Sequence, residues 1–346
     1  MNAASRIRVL VVDDSAFARK VLRQALDSQP GIEVVGIAAD GLEALEKIAA
    51  LKPDVVTLDL VMPHLDGVGV LRELATQQGA PRVVVVSFSS GESELVVEAL
   101  QIGAVDFVKK PTALATDRLY ELSADLVAKV IAAAAARPSA SVFPAPLQRP
   151  VLERPVTRRK LLVVGTSTGG PQALTRLLAL LPANFPIPVA IALHIPAEYT
   201  EALARRLSEG CALRVVEARE GLELEVGLVL LAKGGQDLQV ERQGERTVAR
   251  LTDHSGASLY VPSVDLLFQS AARAWGPATL GVVLTGMGDD GLEGARSIVA
   301  SGGEVLTEAE STSVIYGMPR CVREAGLSAE QAPLEDMAAA IVRRLG

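Results

Sequence analysis

The chain's 346 residues suffice for about two domains, and with 49% hydrophobic but only 3% aromatic residues the cores must be built from Val, Leu, Ala and Ile. Cys211 and Cys321 are far apart in unrelated contexts, which excludes a disulfide framework, and the lack of an apolar signal core or any run of about 18 apolar residues predicts a soluble cytoplasmic protein without membrane insertion. Residues 1–125 carry 12 Lys+Arg against 18 Asp+Glu, 126–160 carry 7 against 1, and 161–346 carry 15 against 22; the basic stretch has a single aromatic, Phe143, and no helix-turn-helix after it, which argues against nucleic-acid binding.

From Ile7 to about Asp125, short apolar runs alternate with amphipathic stretches. Ile7–Val12, Ile32–Ala38, Asp54–Leu58, Arg82–Val86 and Val105–Val108 read as strands. Phe17, Val21, Leu22, Ala25 and Leu26 recur at helical spacing, as do Leu42, Leu45, Ile48 and Ala49. This alternation predicts an α/β domain over residues 1–125, with a doubly wound five-stranded parallel sheet. Five prolines from Pro138 to Pro155 stiffen the chain and remove backbone donors, so a linker is expected within 126–158. The βα rhythm returns over 159–346, with strands expected at 161–164, 187–193, 213–217, 228–232, 279–284 and 304–307. Asp237–Arg242 and Thr247–Leu251, flanking Gln243-Gly244-Glu245, read as a polar-tipped hairpin. The second domain is therefore expected to be α/β, with a mostly parallel sheet and a β-hairpin.

Chemically useful residues gather where these strands stop. Asp13 and Asp14 end the first strand, Asp59 the third, Ser87 the fourth and Lys110 the fifth. In an open parallel sheet those ends share one crevice. Three carboxylates there repel one another unless a cation joins them, and Mg²⁺ suits a few carboxylates plus phosphate oxygens. On this reading Asp59 accepts a phosphoryl group, Asp14 and Asp59 hold the metal with Asp13 helping through water, Lys110 pairs with the phosphoryl oxygens and Ser87 turns toward them. Any one of these acids alone would pass for a helix N-cap or a solvated loop residue.

The segments Val11-Val12-Asp13-Asp14-Ser15, Leu58-Asp59-Leu60-Val61-Met62-Pro63, Asp66-Gly67 and Gly103 through Pro111 resemble the response-regulator receiver family over about residues 5–125. The resemblance implies a histidine kinase as phosphoryl donor and the Val61 backbone carbonyl as a further metal ligand. Phe88, after Ser87, stands where the family more often has a small residue.

In the second half, Ser167 sits in Gly165-Thr166-Ser167-Thr168-Gly169-Gly170, directly after the apolar run Leu161–Val164. A hydroxyl at a strand end, with glycines opening the next helix, is placed to attack a carbonyl. Glycine-rich turns more often bind phosphate, but this spacing matches neither G-x-G-x-x-G, nor a P-loop, nor the G-x-S-x-G elbow. Of the three histidines, His64 lies in the first domain, His254 in a polar run, and only His194 follows a buried strand near Ser167. A histidine can take the serine proton near neutral pH and return it to the leaving group. Asp289 and Asp290, after Leu280–Leu284, both offer an acid to orient it. Backbone amides around Thr168, Gly169 and Gly170 face outward from a helix N-terminus, where an oxyanion would be stabilised.

Together with His194-Ile195-Pro196, Pro262-Ser263-Val264-Asp265-Leu266-Leu267-Phe268, Leu284 through Gly291 and Tyr316-Gly317-Met318-Pro319, this turn closely resembles the catalytic domain of the chemotaxis methylesterase (CheB) family over about 160–345. The resemblance implies hydrolysis of glutamate γ-methyl esters on cytoplasmic chemoreceptor helices, with Ser167 as nucleophile, His194 as base and Asp290 as orienting acid. It also assigns Thr168 and Met287 to the oxyanion site and implies deamidation of receptor glutamines by the same acyl chemistry. Leu193 replaces the Gln that usually precedes the histidine, and Lys233 stands where the family commonly has Pro. The layout further suggests that phosphorylation of Asp59 relieves an inhibition of the Ser167 cleft. The alternative reading is a phosphorylation-controlled binding regulator without catalysis.

Overall fold

The computed structural model describes residues 6–87, 90–110, 116–136, 157–253 and 260–346. Phe88, Pro111, His254 and the proline-rich stretch 137–156 lie outside them. The chain divides into two compact units, Met1–Phe143 and Pro144–Gly346. No described helix is long and apolar enough to cross a membrane.

The first unit runs β1 (Ile7–Val12), α1 (Ala16–Asp27), β2 (Ile32–Ala38), α2 (Gly41–Leu51), β3 (Val55–Leu58), α3 (Gly67–Ala75), β4 (Arg82–Ser87), α4 (Ser93–Ile102), β5 (Asp106–Lys109) and α5 (Thr116–Ala135). The strands order as β2-β1-β3-β4-β5, and all pairings are parallel. Helix starts are written locally. Ser15 and Asp66 accept from the amides of Ala18 and Gly69, while Asp40 accepts from Glu43, whose own carboxylate reaches back to the Ala39 amide. The expected linker start at 126 is corrected, because it falls inside α5. Leu126, Val130 and Ala133 repeat at helical spacing and are buried, and the alanine-rich run is a strong helix former, so the helix continues through Ala135.

The second unit runs β6 (Leu161–Thr166), α6 (Gly170–Leu180), β7 (Val189–Leu193), α7 (Ala197–Gly210), β8 (Arg214–Glu217), β9 (Leu228–Leu231), β10 (Gln236–Gln243), β11 (Arg246–Asp253), α8 (Val264–Trp275), β12 (Thr279–Val283), α9 (Leu292–Ala300), β13 (Glu304–Glu308), α10 (Met318–Glu324), β14 (Glu330–Ala332) and α11 (Leu334–Arg343). Seven strands form a parallel sheet in the order β14-β13-β12-β6-β7-β9-β8. The hairpin β10-β11 is a separate sheet that packs on α8, and Gln243 pairs with Arg246, so only Gly244-Glu245 remain as its turn. Leu161, Leu162, Val163 and Val164 on β6 are all fully buried, as a strand covered on both faces requires. β12, β6 and β7 lie side by side at the middle of the sheet, and their carboxyl ends carry the residues singled out in the second domain.

Candidate active site

Ser167 follows β6 and is flanked by the ends of β7 and β12. Its amide donates to the Thr285 carbonyl at 3.0 Å, and its carbonyl accepts from Gly170 at 2.7 Å. On the other side the His194 amide donates to the Thr166 carbonyl at 3.2 Å. Gly169, with φ of 78°, adopts the left-handed conformation that turns the chain into α6, whose N-terminus begins at the next residue. Thr168 is half-buried, its carbonyl accepting from the Thr285 hydroxyl at 3.0 Å, and the Met287 side chain is 49% exposed at the rim.

His194 Nε2 lies 2.8 Å from Asp290 Oδ2. The same carboxylate accepts from the amides of Val264 and Asp265, at 2.8 and 2.9 Å, and from the Ser263 hydroxyl at 3.2 Å. Burial pushes Asp290 up, but the hydrogen bond and charge of His194 and the two amides outweigh it and hold the carboxyl below its usual range. An ionised carboxylate only accepts, so the imidazole proton resides on Nε2. His194 Nδ1 is left buried and without a hydrogen-bond partner. No hydrogen bond joins it to Ser167; such contacts commonly tighten only when substrate binds. Asp289, the competing acid, is exposed.

Sequence reasoning gave Ser263 and Asp265 no individual role. Asp265 accepts from Gly291 and Gly294 at the start of α9, while Asp290 accepts from the start of α8. Each acid caps the other's helix, and this exchange fixes Asp290. Burial, with Asp290 adding repulsion, raises Asp265 to about 6 against the pull of its two amides.

In the first unit, Lys110 Nζ is 2.7 Å from Asp13 Oδ2 and 2.9 Å from Asp59 Oδ2, with all three groups buried. Carboxylate oxygens of Asp13, Asp14 and Asp59 lie within 4.8 Å of one another, Asp14 being exposed. Asp59 Oδ1 is buried without a hydrogen-bond partner, an orphan acceptor that a divalent cation would satisfy. Burial raises Asp59 to about 6, with Lys110 opposing and Asp13 reinforcing. The Ser87 hydroxyl is fully buried and donates to Glu92, and Val61 is half-exposed.

Residues 162–341 match the family model described as CheB methylesterase, and residues 9–121 match the response regulator receiver domain. The chain belongs to the CheB methylesterase family. Protein-glutamate methylesterase/protein-glutamine glutaminase 5 of Myxococcus xanthus is 62% identical, covering 100% of both chains. Protein-glutamate methylesterase/protein-glutamine glutaminase 3 of Geobacter sulfurreducens is 40% identical over 99% of this chain and 98% of its own. The crystal structure of the Thermotoga maritima CheB methylesterase catalytic domain aligns at a TM-score of 0.52 and 34% identity, covering 54% of this chain and 98% of that one. This family membership makes the protein a methylesterase/glutaminase hydrolase that carries a receiver domain, and the non-catalytic alternative falls.

Within the methylesterase domain, Gly234 lies under the segment that carries His194. A Cβ there would stand 2.4 Å from both the Ala197 nitrogen and the Ile195 oxygen, and 2.5 Å from the Pro196 carbonyl carbon. Backbone cannot yield as a side chain does, so Gly234→Ala must shift the loop after β7. Turnover is expected to fall by about 10- to 100-fold in a protein that still folds, and an unchanged rate would show that the loop does not set the position of His194.

Glu308, at the end of β13, is fully buried and was not foreseen. It accepts from the Thr285 amide at 2.8 Å and the Thr312 hydroxyl at 3.0 Å, bracing the strand end against which Ser167 rests. Burial drives its pKa from 4.5 to about 7, against the pull of those two donors. The folded domain therefore keeps a proton that the unfolded chain has lost, and stability declines as pH rises from about 4.5 to 7, then levels off, by about 3 kcal/mol in all. Glu308→Gln is expected to flatten that decline, so that its melting temperature relative to the parent improves between pH 5 and pH 8. An offset equal at both pH values would refute the linkage.

Proposed function

We propose that this chain hydrolyses glutamate γ-methyl esters on cytoplasmic chemoreceptor helices through an acyl-enzyme on Ser167, at a rate controlled by phosphorylation of Asp59. The reading is carried by His194, held through Nε2 by a buried ionised Asp290 and left with an unbonded Nδ1, on the strand end beside Ser167. Ser167 Oγ attacks the ester carbonyl carbon as its proton passes to His194 Nδ1. Negative charge gathers on the carbonyl oxygen, where the amides around Thr168 and Gly169 at the α6 N-terminus stabilise it, with Met287 shaping the rim. The tetrahedral adduct collapses, the C–O bond to the methoxy group breaks, and methanol leaves with the proton from His194. Water, activated by the same base, then cleaves the glutamyl ester on Ser167 and restores both the carboxylate and the hydroxyl. A receptor glutamine follows the same route with ammonia as leaving group.

In the receiver, a histidine kinase supplies the phosphoryl group to Asp59, Lys110 pairs with its oxygens, and the Ser87 hydroxyl exchanges Glu92 for the phosphoryl. Asp13, Asp14, Asp59 and the Val61 carbonyl fit Mg²⁺, which when bound neutralises charge on the phosphoryl oxygens. The esterase steps draw only on the chain's own groups. The protein acts in the cytoplasm on receptor helices, with no nucleic-acid partner.

Methanol release from methylated receptor membranes tests this reading. The full chain is expected to release methanol faster when Mg²⁺ and a phosphodonor are added, and Asp59→Asn is expected to stay at the unstimulated rate. Absence of release would end the esterase reading, and a stimulated Asp59→Asn would end the proposed control.

A further inference from the structure

Tyr260 has no part in the steps above, yet its ring lies flat on the imidazole of His194, with centroids 4.6 Å apart and planes within 2° of parallel. Its far end meets the loop that carries the orienting acid, since a Cβ on Gly288 would stand 2.6 Å from the Tyr260 hydroxyl oxygen. Burial, helped by Asp289 and Asp290 nearby, pushes the phenol above its ordinary value, so the ring that faces the imidazole is neutral. One side chain thus spans the base and the Met287–Asp290 loop.

That contact supplies a restraint the hydrogen bonds do not. His194 is tied at Nε2 alone, and a ring held by one hydrogen bond can still tilt about it. Tilting moves Nδ1, the atom that must exchange a proton with the serine. A flat neighbour against the whole ring face removes this freedom. The effect also grows during the reaction, because a π face attracts the imidazolium more than the neutral ring. Interactions stronger in the charged state lower the barrier rather than merely tightening substrate binding.

We propose that Tyr260 is a positioning residue for the hydrolytic reaction, its ring face fixing the plane of the His194 imidazole and favouring the imidazolium formed at each proton transfer. The inference rests on the reading of His194 as the base. Tyr260 is hard to find in sequence because it follows a polar stretch and belongs to no periodic pattern.

The test uses the full chain under one set of phosphodonor and Mg²⁺ conditions, with methanol release measured across substrate concentrations. Tyr260→Leu removes the flat face while keeping an apolar side chain. Its kcat is expected to fall about tenfold with KM within about twofold, whereas Tyr260→Phe, which keeps the face, stays within about twofold in both. Tyr260→Met replaces the Leu variant if that protein melts below the assay temperature. Full turnover in the flat-face deletions, or equal losses in Leu and Phe variants, would overturn the proposal. His194→Gln, assayed alongside, separates the two levels. If it is inactive while Tyr260→Leu runs at the parent rate, only the role of Tyr260 falls; if it is active, the base assignment falls and takes this inference with it.

Discussion

Ser167→Ala should abolish methanol release, reducing turnover by about 10⁶-fold, since no other group in a triad enzyme substitutes for the nucleophile. The fold has little reason to change. Both hydrogen bonds that fix residue 167, from its amide to Thr285 and from Gly170 to its carbonyl, are made by the backbone, and alanine keeps them. The neighbouring Thr166 hydroxyl bonds the Thr285 carbonyl at 2.7 Å, an anchor that likewise does not involve the serine side chain. KM is therefore expected to hold while kcat collapses, with melting temperature and phosphorylation of Asp59 unaltered. Calorimetry and a phosphorylation assay on the same preparation make a loss of activity attributable to one oxygen atom. A variant that still released methanol at a rate near the parent would remove Ser167 from the reaction.

Much of this site was legible because chemistry is placed at the ends of apolar runs. Buried parallel strands must be continuous in Val, Leu and Ile, so the point where Leu161–Val164 or Val189–Leu193 gives way to polar residues marks a strand's carboxyl end with little ambiguity. Asp13, Asp59, Ser87 and Lys110 are marked in the same way, and Lys110 lies within ion-pair distance of both Asp13 and Asp59. What stayed hidden depends on strand order and packing rather than on runs. Glu308 supports Thr285 only because β13 lies beside β12, and nothing in its own neighbourhood announces that adjacency. β14 was not expected either: Glu330-Gln331-Ala332 has no apolar run, and it is a strand because β13 offers it an edge. The exchange of caps joins two helices through acids 25 residues apart, Asp265 and Asp290, and each acid alone reads as an ordinary residue of a helix start. Linear patterns mark the candidate reacting groups, whereas the groups that hold them are set by tertiary contact.

The choice between Asp289 and Asp290 gives the second large expected effect. Asp290→Asn should lower kcat by up to about 10⁴-fold, the scale known for losing the acid of a serine triad, with the full loss where the amide also imposes the wrong imidazole tautomer. Asn presents one acceptor and one donor where Asp presented two acceptors. Oδ2 now receives both His194 Nε2 and the Val264 amide, while Oδ1 receives the Asp265 amide and the Ser263 hydroxyl. Placed at Oδ1, the new NH₂ faces the fixed amide of Asp265. Placed at Oδ2, it faces the amide of Val264, and His194 can escape it only by accepting at Nε2, which moves the imidazole proton to Nδ1 and leaves no base. Either orientation sets one donor against another, and a stability loss of about 1–3 kcal/mol should accompany the kinetic loss. Asp289→Asn has none of these consequences, because Asp289 is exposed, and should stay within about threefold of the parent in turnover with an unchanged melting temperature. Parallel kinetics and thermal melts on the two variants decide the matter: comparable losses in both, or a larger one in Asp289→Asn, would show that the carboxylate seen against His194 does not orient it during the reaction.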